Sequence, residues 1–531
     1  MGTVDEVCVC GKPLLRMGLL TELLRYTSAC RLAKTLAALA ASELPGERQD
    51  SKGLMTRVIF EGLQSAAVQG VTGRGTRHWV HPVLDVHRQA KVCVGKETSN
   101  LSSTAHTLEG VAITKGCVLG IIRDKDGTDA RHEVSVDDLR LAEEASLFHD
   151  ELLPAVECIQ PQHTSRSARN WFLEKLCGVP TKLLTSFNQK RRKAWALTDR
   201  LLILFYEERR RLAELKARVQ REESAIELKG LTLSQLERSD VVQLEIHICD
   251  KTDKGWFHSG FPRETVRHDS HDVIITLEIQ AEHVARLRRL ALCSEDIHFR
   301  FSLALVLLRY AGLSGGEWQL ESGWHAGVPP SVFASLVSAF HVTVECFASP
   351  LNCTLPRYFS AFPDTDASFG CSGNFFASPP LVSLDGDPLS LEANPPFDHE
   401  VIAAGLERAL QWLEDTPATM PLSFVFILPD SAQANSVAVR KSAEKSRFFR
   451  GGCVVPSHTS MYVHGACHVE KQMRRKRPCS ECASEEELVV LSCATRLLVL
   501  QNDAAAAMFS ASEGINKVRS AWEALSASVA L

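Results

Sequence analysis

The chain has 531 residues, 45% of them hydrophobic and 23% charged, with a formal net charge of −5. That length exceeds a single hydrophobic core and sets two or three domains, while the charge excludes a protein that holds nucleic acid by overall basicity, so any such surface is local. Seventeen cysteines without framework spacing suit a reducing compartment, and no apolar run approaches the roughly 20 residues that span a bilayer.

In chain order, the opening MGTVDE has neither the basic start of a secretory leader nor the hydroxyl residue of a myristoylation signal, and neither is expected. Residues 1–160 mix short amphipathic stretches, Arg31–Ala41 the clearest, with polar connectors and carry no assignable motif. An accessory helical and β region at 161–300 follows. Trp171, Leu173 and Leu176 on one segment, and Leu201, Leu202, Leu204 and Phe205 on the next, predict helices that run into the charged segment Tyr206–Glu223. Alternating apolar residues at 241–248 and 272–279 then predict two strands.

From 301 to 531 the rhythm becomes that of an α/β sheet with crossover helices, whose ligands sit at the carboxyl ends of the strands. Helices are predicted at 301–312, 331–340 and 398–416, and strands at 341–347, 389–393 and 421–428. In the helix after 398, Asp398 can cap, Ile402, Leu406, Leu410 and Leu413 form one apolar face, and Pro417 ends it.

Between the second of these strands and that helix stands Asn394-Pro395-Pro396-Phe397. An exocyclic base amine is a poor nucleophile because its lone pair is conjugated into the ring. An asparagine carboxamide oxygen and a backbone carbonyl can hold its two N–H bonds, prolines can stiffen the backbone that aims them, and an aromatic ring can stack on the base. Asn394, Pro395, Pro396 and Phe397 supply these parts in order and are the catalytic candidates; Ser378-Pro379-Pro380-Leu381 lacks the aromatic. A methyl donor needs its own site. The strand ending at Glu345 runs into the small-residue loop Phe347-Ala348-Ser349-Pro350-Leu351-Asn352, so Glu345 can meet a donor's amino group and the loop can approach its methionyl part. Asp364 and Asp366 stand where a carboxylate after a second strand takes ribose hydroxyls; on spacing alone all these stretches equally suit plain turns.

With these residues in view, the segment 345–503 resembles the phosphorylated-CTD-interacting factor family of cap-specific adenosine N6-methyltransferases. The resemblance rests on ECFASPLN (345–352), YFSAFPDTDASFG (358–370), SLEANPPF (390–397), PLSFVFILP (421–429), KSRFFR (445–450) and LVLQND (498–503), which keep their order. It implies a Rossmann-like methyltransferase domain that uses S-adenosyl-L-methionine at Glu345, Phe347, Ala348, Ser349, Pro350, Asn352, Asp364, Asp366 and Asn394. The implied substrate is capped RNA, methylated on the first transcribed adenosine next to the 7-methylguanosine cap. Phe397, Arg447 and Arg450 are candidate substrate contacts, arginine being suited to phosphate. His399 is another, within Asp398-His399-Glu400, where the chain departs from the family's pattern. No WW module is found, since Trp79–Pro82 lacks a partner tryptophan upstream, and recruitment to a phosphorylated polymerase tail is not expected. The same tetrapeptide also serves methyltransferases of internal adenines or of glutamine amides, and an inactive capped-RNA scaffold remains a further reading.

Other signals point less far. Cys479-x-x-Cys482 has no second pair at ligand spacing, and His78, His81 and His87 have no framing carboxylate or cysteine, so no metal is expected. The basic runs Lys190–Lys193 and Arg474–Arg477, the latter in a charged insertion at 471–487, suit RNA contact or nuclear import as well as a solvated face. A nuclear location, with a cytoplasmic one in addition, is the expectation.

Overall fold

The computed structural model describes residues 7–8, 18–24, 26–27, 30–31, 111–114, 117–123, 129–134, 226–236, 240–251, 266–269, 272–313, 326–376, 389–397, 399–430, 434–463, 488–490 and 493–530. The expectation of helix from about 165 to 228 lies outside these residues up to 225 and is overturned at 226–228, which open a strand, while the three histidines, Trp79–Pro82, both basic runs, the Cys479–Cys482 pair, the 378–381 decoy and the Asp398 cap lie outside these residues.

The first strands in the chain are β1 (Val7–Cys8), β2 (Val111–Thr114), β3 (Cys117–Arg123), β4 (Asp129–Val134), β5 (Ile226–Gln235), β6 (Val241–Asp250), β7 (Val266–Asp269) and β8 (Asp272–Gln280). β2, β3 and β4 form one antiparallel sheet, and the others form a five-stranded antiparallel sheet in the order β1-β5-β6-β8-β7. The two strands predicted here are β6 and β8, whose buried Leu244 and Leu277 face each other in register. Strand β5 escapes its sequence pattern because its register shifts between Leu228 and Gly230, which breaks the alternation that marks a strand. Helices α1 (Ala281–Leu290) and α2 (Asp296–Leu313) follow. Helix α2 begins ahead of the predicted 301 and lies on β5, β6 and β8, so it belongs to the antiparallel sheet. Arg300, nearly buried, ties it there by donating to the Leu231 carbonyl at 3.0 Å.

The second sheet is built from α3 (Pro330–Phe340), β9 (Val344–Glu345), α4 (Pro363–Asp366), β10 (Leu389–Ala393), α5 (His399–Asp415), β11 (Leu422–Pro429), α6 (Ala434–Lys445), β12 (Phe449–Val455), β13 (Met461–Val463), β14 (Leu488–Val490), β15 (Thr495–Gln501), α7 (Asp503–Met508) and α8 (Ala511–Ala530). Its order is β12-β15-β11-β10-β9, with β9, β10 and β11 parallel and β15 antiparallel to both its neighbours. Parallel bridges from Glu345 to Tyr358 and from Tyr358 to Cys371 continue it beyond β9. β10 forms over 389–393 as expected and β11 over Leu422–Pro429, whereas the strand expected at 341–347 keeps only Val344–Glu345. This mixed α/β sheet is compatible with a Rossmann-like fold.

Helices cover both faces. Leu391, Ala393, Phe424 and Phe426 face α5, where Ile402, Leu406 and Leu413 of the predicted apolar stripe are buried around the wholly buried Trp412. Val425, Ile427, Leu497 and Val499 face α3 and α8, with Trp522 wholly buried and donating to the Met461 carbonyl at 3.0 Å. Each such aromatic removes about 150–250 Å² from water. At the amino-terminal edge of the sheet, Asn502 caps α7, accepting from Ala505 at 3.0 Å, and clasps β11 by accepting from the Leu422 N–H at 3.1 Å.

Strand β12 starts irregularly, with a register shift between Phe449 and Gly451, a φ of 150° at Gly451, and Gly452 pressed onto β15. A Cβ on Gly452 would stand 2.6 Å from the Leu497 carbonyl oxygen. Gly452→Ala is expected to lower stability by about 1–3 kcal/mol, seen as a lower urea midpoint with an unchanged slope.

Candidate active site

From β9 the chain moves outward to Tyr358 and Cys371, then returns to place β10 on the other side of β9. The connections therefore part between β9 and β10, and in open α/β sheets the crevice at the carboxyl ends of such a pair is where ligands bind. Two of the predicted segments meet there: Phe347–Asn352 follows β9, and Asn394–Phe397 follows β10.

Asn394 donates its side-chain Nδ2 to the Ala326 carbonyl at 2.9 Å, which fixes the amide's orientation because a carbonyl can only accept. Its Oδ1 is buried and finds no hydrogen-bond partner among the described residues. Pro395 is buried and Pro396 half-buried. Phe397 is half-buried and meets Tyr462 edge to face, 6.0 Å between centroids at 86°. Tyr462 is itself held by a 2.5 Å hydrogen bond with Thr495. One acceptor, a stiff exit and an aromatic ring thus stand together at the parting of the strands.

The loop after β9 is tied at many points. Glu345 is buried, and its Oε1 accepts the Thr354 and Leu355 N–H groups at 2.7 and 2.6 Å. Burial pushes its carboxyl up to about 7, opposed by those two amides and by the charge of Arg286. Asn352 turns its Oδ1 inward to accept from the Ser349 N–H at 2.7 Å and the Ser349 hydroxyl at 2.8 Å. Phe347 packs edge-on to Phe375, 5.4 Å away, and over Gly405 of α5, where an added Cβ would stand 3.2 Å from the ring. Arg286, on α1, donates to the carbonyls of Cys353 at 2.9 Å, Pro350 at 3.2 Å and Leu351. It escaped sequence reading because its partners are main-chain carbonyls some 65 residues away, which leave no side-chain pattern. Glu392 was passed over as well, although it lies in the quoted SLEANPPF; it stands in register with Glu345. Burial foremost, then the charge of Glu345, push its carboxyl well above the usual range, against one hydrogen bond from the Asn394 N–H.

The structure gives the other predicted residues partners within the protein. Asp366 is 0% exposed and accepts from Tyr310 at 2.7 Å and Thr365 at 2.9 Å, which turns it into the interior rather than toward a ribose. Burial pushes its carboxyl up to about 7. Asp364 accepts from Arg309 at 2.8 Å, the same guanidinium that grips Glu22 at 2.6 Å. Arg447 pairs with Glu414 in the last turn of α5, a helix of 17 residues that leaves the motif and spans about 25 Å. Arg450 bonds the Gln501 carbonyl at 3.2 Å and pairs with Asp503, beside Asn502 at the amino-terminal edge. Topology therefore removes both arginines from the crevice. Just past the carboxyl end of β11, Arg440 and Arg496 both pair with Asp430. His399 opens α5.

Two outcomes follow from this geometry. Arg286→Ala should raise hydrogen exchange of the 351–355 amides by about tenfold or more, since hydrogen bonds from a charged donor contribute about 1.5–3 kcal/mol each. The folded carboxyls of Glu345, Glu392 and Asp366 hold protons that an unfolded chain releases above its ordinary carboxylate pKa. Stability should therefore fall as pH rises from about 5 to about 8, and Glu392→Gln should flatten that slope in denaturant titrations.

Comparison with known proteins bears on the same region. Residues 286–465 match the family model described as "Phosphorylated CTD interacting factor 1 WW domain". In the described part of that span lie α3, β9, β10, α5 and β11, the elements that build the crevice. Over 214 residues the chain is 35% identical to a Homo sapiens protein named mRNA (2'-O-methyladenosine-N(6)-)-methyltransferase, covering 40% of this chain and 27% of that protein. Over 185 residues it is 37% identical to a Mus musculus protein of the same name, covering 34% and 25%. The match thus spans about a quarter of the length of these curated relatives. The crevice and its Asn-Pro-Pro-Phe motif thus lie within the segment, residues 286–465, that is similar to the phosphorylated CTD interacting factor family.

Proposed function

We propose that this chain is an S-adenosyl-L-methionine-dependent methyltransferase that acts on N6 of the first transcribed adenosine next to the 7-methylguanosine cap of mRNA. The observation that carries the reading is Asn394, whose Nδ2 is committed to Ala326 while its buried Oδ1 is left as an acceptor at the crevice. The names of the human and mouse relatives support adenosine N6 in mRNA as the target.

In this reading Asn394 Oδ1 and the Pro395 carbonyl accept the two N–H bonds of the adenine amine, and Pro396 keeps their directions fixed. Phe397, braced edge-on by Tyr462, stacks on the base. S-adenosyl-L-methionine, when bound, supplies a methyl group on a sulfonium. The donor residues fit such a group: Ala348 and Ser349 let backbone come close, and Glu392 offers a buried carboxyl oxygen without a partner among the described residues. Phe347, Pro350 and Asn352 then shape the donor's wall, and Glu345 holds that loop through Thr354 and Leu355. Asp364 is retained on the donor side through its half-exposed carboxylate, while Asp366 is reassigned to support it from within. A target adenosine at a free 5′ end needs no extraction from a duplex. A nuclear location belongs to the same proposal.

The test is label transfer from the donor to four RNAs, capped or uncapped and starting with A or G. Label is expected in capped, A-starting RNA, at N6, and Asn394→Ala should reduce the rate by about 100-fold or more, the scale of losing one directed hydrogen-bonding group in a site. Equal labelling of uncapped RNA would remove the cap from the proposal, and an unchanged rate in Asn394→Ala would remove the mechanism.

A further inference from the structure

Glu392 is a buried carboxyl at the crevice on which no positive charge of the described residues acts. It is 2% exposed and in register with Glu345 across β9 and β10. Strand alternation sends Leu391 and Ala393 to the α5 face and Glu392 to the opposite one, the face of Phe397 and Tyr462. The Asn394 N–H hydrogen-bonds its carboxylate, yet Oε1 finds no partner among the described residues. The two glutamates are not equivalent. Glu345 has two amide donors on Oε1 and the positive charge of Arg286 near by, whereas the charge acting on Glu392 is that of Glu345, which is negative.

A carboxylate so enclosed is costly unless it stays neutral or a cation reaches it. Among the described residues no positive charge acts on it, so a cation that reaches it comes with a ligand bound at the parting of the strands, between the donor loop and Asn394. The methyl donor of the proposed reaction has an amino-acid end with an ammonium group, a compact cation with three N–H bonds. We propose that Glu392 is the carboxylate that receives this ammonium, while Glu345 holds the loop beside it. The inference rests on the methyltransferase reading above and adds a donor-binding residue to it.

The experiment is calorimetric binding to the full chain with two probes. S-adenosylhomocysteine keeps the ammonium, and 5′-methylthioadenosine lacks the whole amino-acid end. Glu392→Gln is expected to weaken S-adenosylhomocysteine by on the order of tenfold to a hundredfold, the scale of a charge-assisted hydrogen bond, and to leave 5′-methylthioadenosine unchanged. Glu345→Gln should weaken both, because it loosens a loop that both probes touch. Unchanged affinities in Glu392→Gln would overturn the proposal, and so would equal weakening of both probes, which would mean that Glu392 acts through Asn394 or through the fold. If the unmodified chain binds neither probe, the methyltransferase reading falls and takes this proposal with it. That result is distinct from a chain that binds both probes and is indifferent to residue 392.

Discussion

Cys346 gives its N–H to the Glu392 carbonyl at 2.8 Å, and Thr343 gives its own to Ser390 at 2.9 Å. These bonds hold β9 against β10 over a very short length, and everything chemically distinctive about the molecule is arranged around them. The chain departs outward from one strand and inward from the other, so the two connections part at their carboxyl ends. Both segments that leave there are short of regular structure, and both are stiffened by proline, at Pro350 and at Pro395–Pro396. The strand pair also forces two buried glutamates side by side. So short a strand pair relies on its helices: the apolar faces of α5 on one side and of α3 with α8 on the other hold the sheet together.

Much of this was legible in the residues. Leu389–Ala393 and Leu422–Pro429 are continuous buried runs between turn signals, and α5 shows a helical stripe with a proline just past its end, so their kinds and nearly their ends follow from periodicity. The segment 341–347 alternates well but pairs over only two residues, because strand length depends on the neighbours and not on the run itself. The site was partly legible for the same reason. Asn394, Phe397 and the loop after Glu345 are local in sequence and come together through the parting of two strands. Arg447 and Arg450 have the chemistry of phosphate contacts, yet they stand at the start of β12, which runs in the same direction as β11, and so lie at the amino-terminal edge of the sheet. Asp366 shows the other kind of miss: an acid after a short run reads as a ligand, and only the Tyr310 hydroxyl and its complete burial reveal a structural role.

The donor loop and its surroundings are also held from outside the second sheet. Arg286 comes from α1, next to the antiparallel sheet, and grips three carbonyls of the loop. Arg309, from α2, is 1% exposed and joins Glu22 to Asp364 while lying 5.1 Å over Phe362. Buried ion networks of this kind add little net stability but penalise partial assembly, since removing one partner strands the other charges. The antiparallel sheet and Glu22, near the amino terminus, are thus tied to the donor loop and to Asp364 through two guanidinium groups.

The bond from Asn394 to Ala326 has a bearing on which amino acid the position can hold. An aspartate at 394 would have the same shape but would set a carboxylate oxygen against the Ala326 carbonyl oxygen, two acceptors with no hydrogen between them. It would also bring a third acid beside Glu345 and Glu392. Chemistry that asks only for an acceptor facing an amine is served equally well by either side chain. The choice of the amide over the acid is made here by a carbonyl more than sixty residues upstream, in the turn that leads into α3.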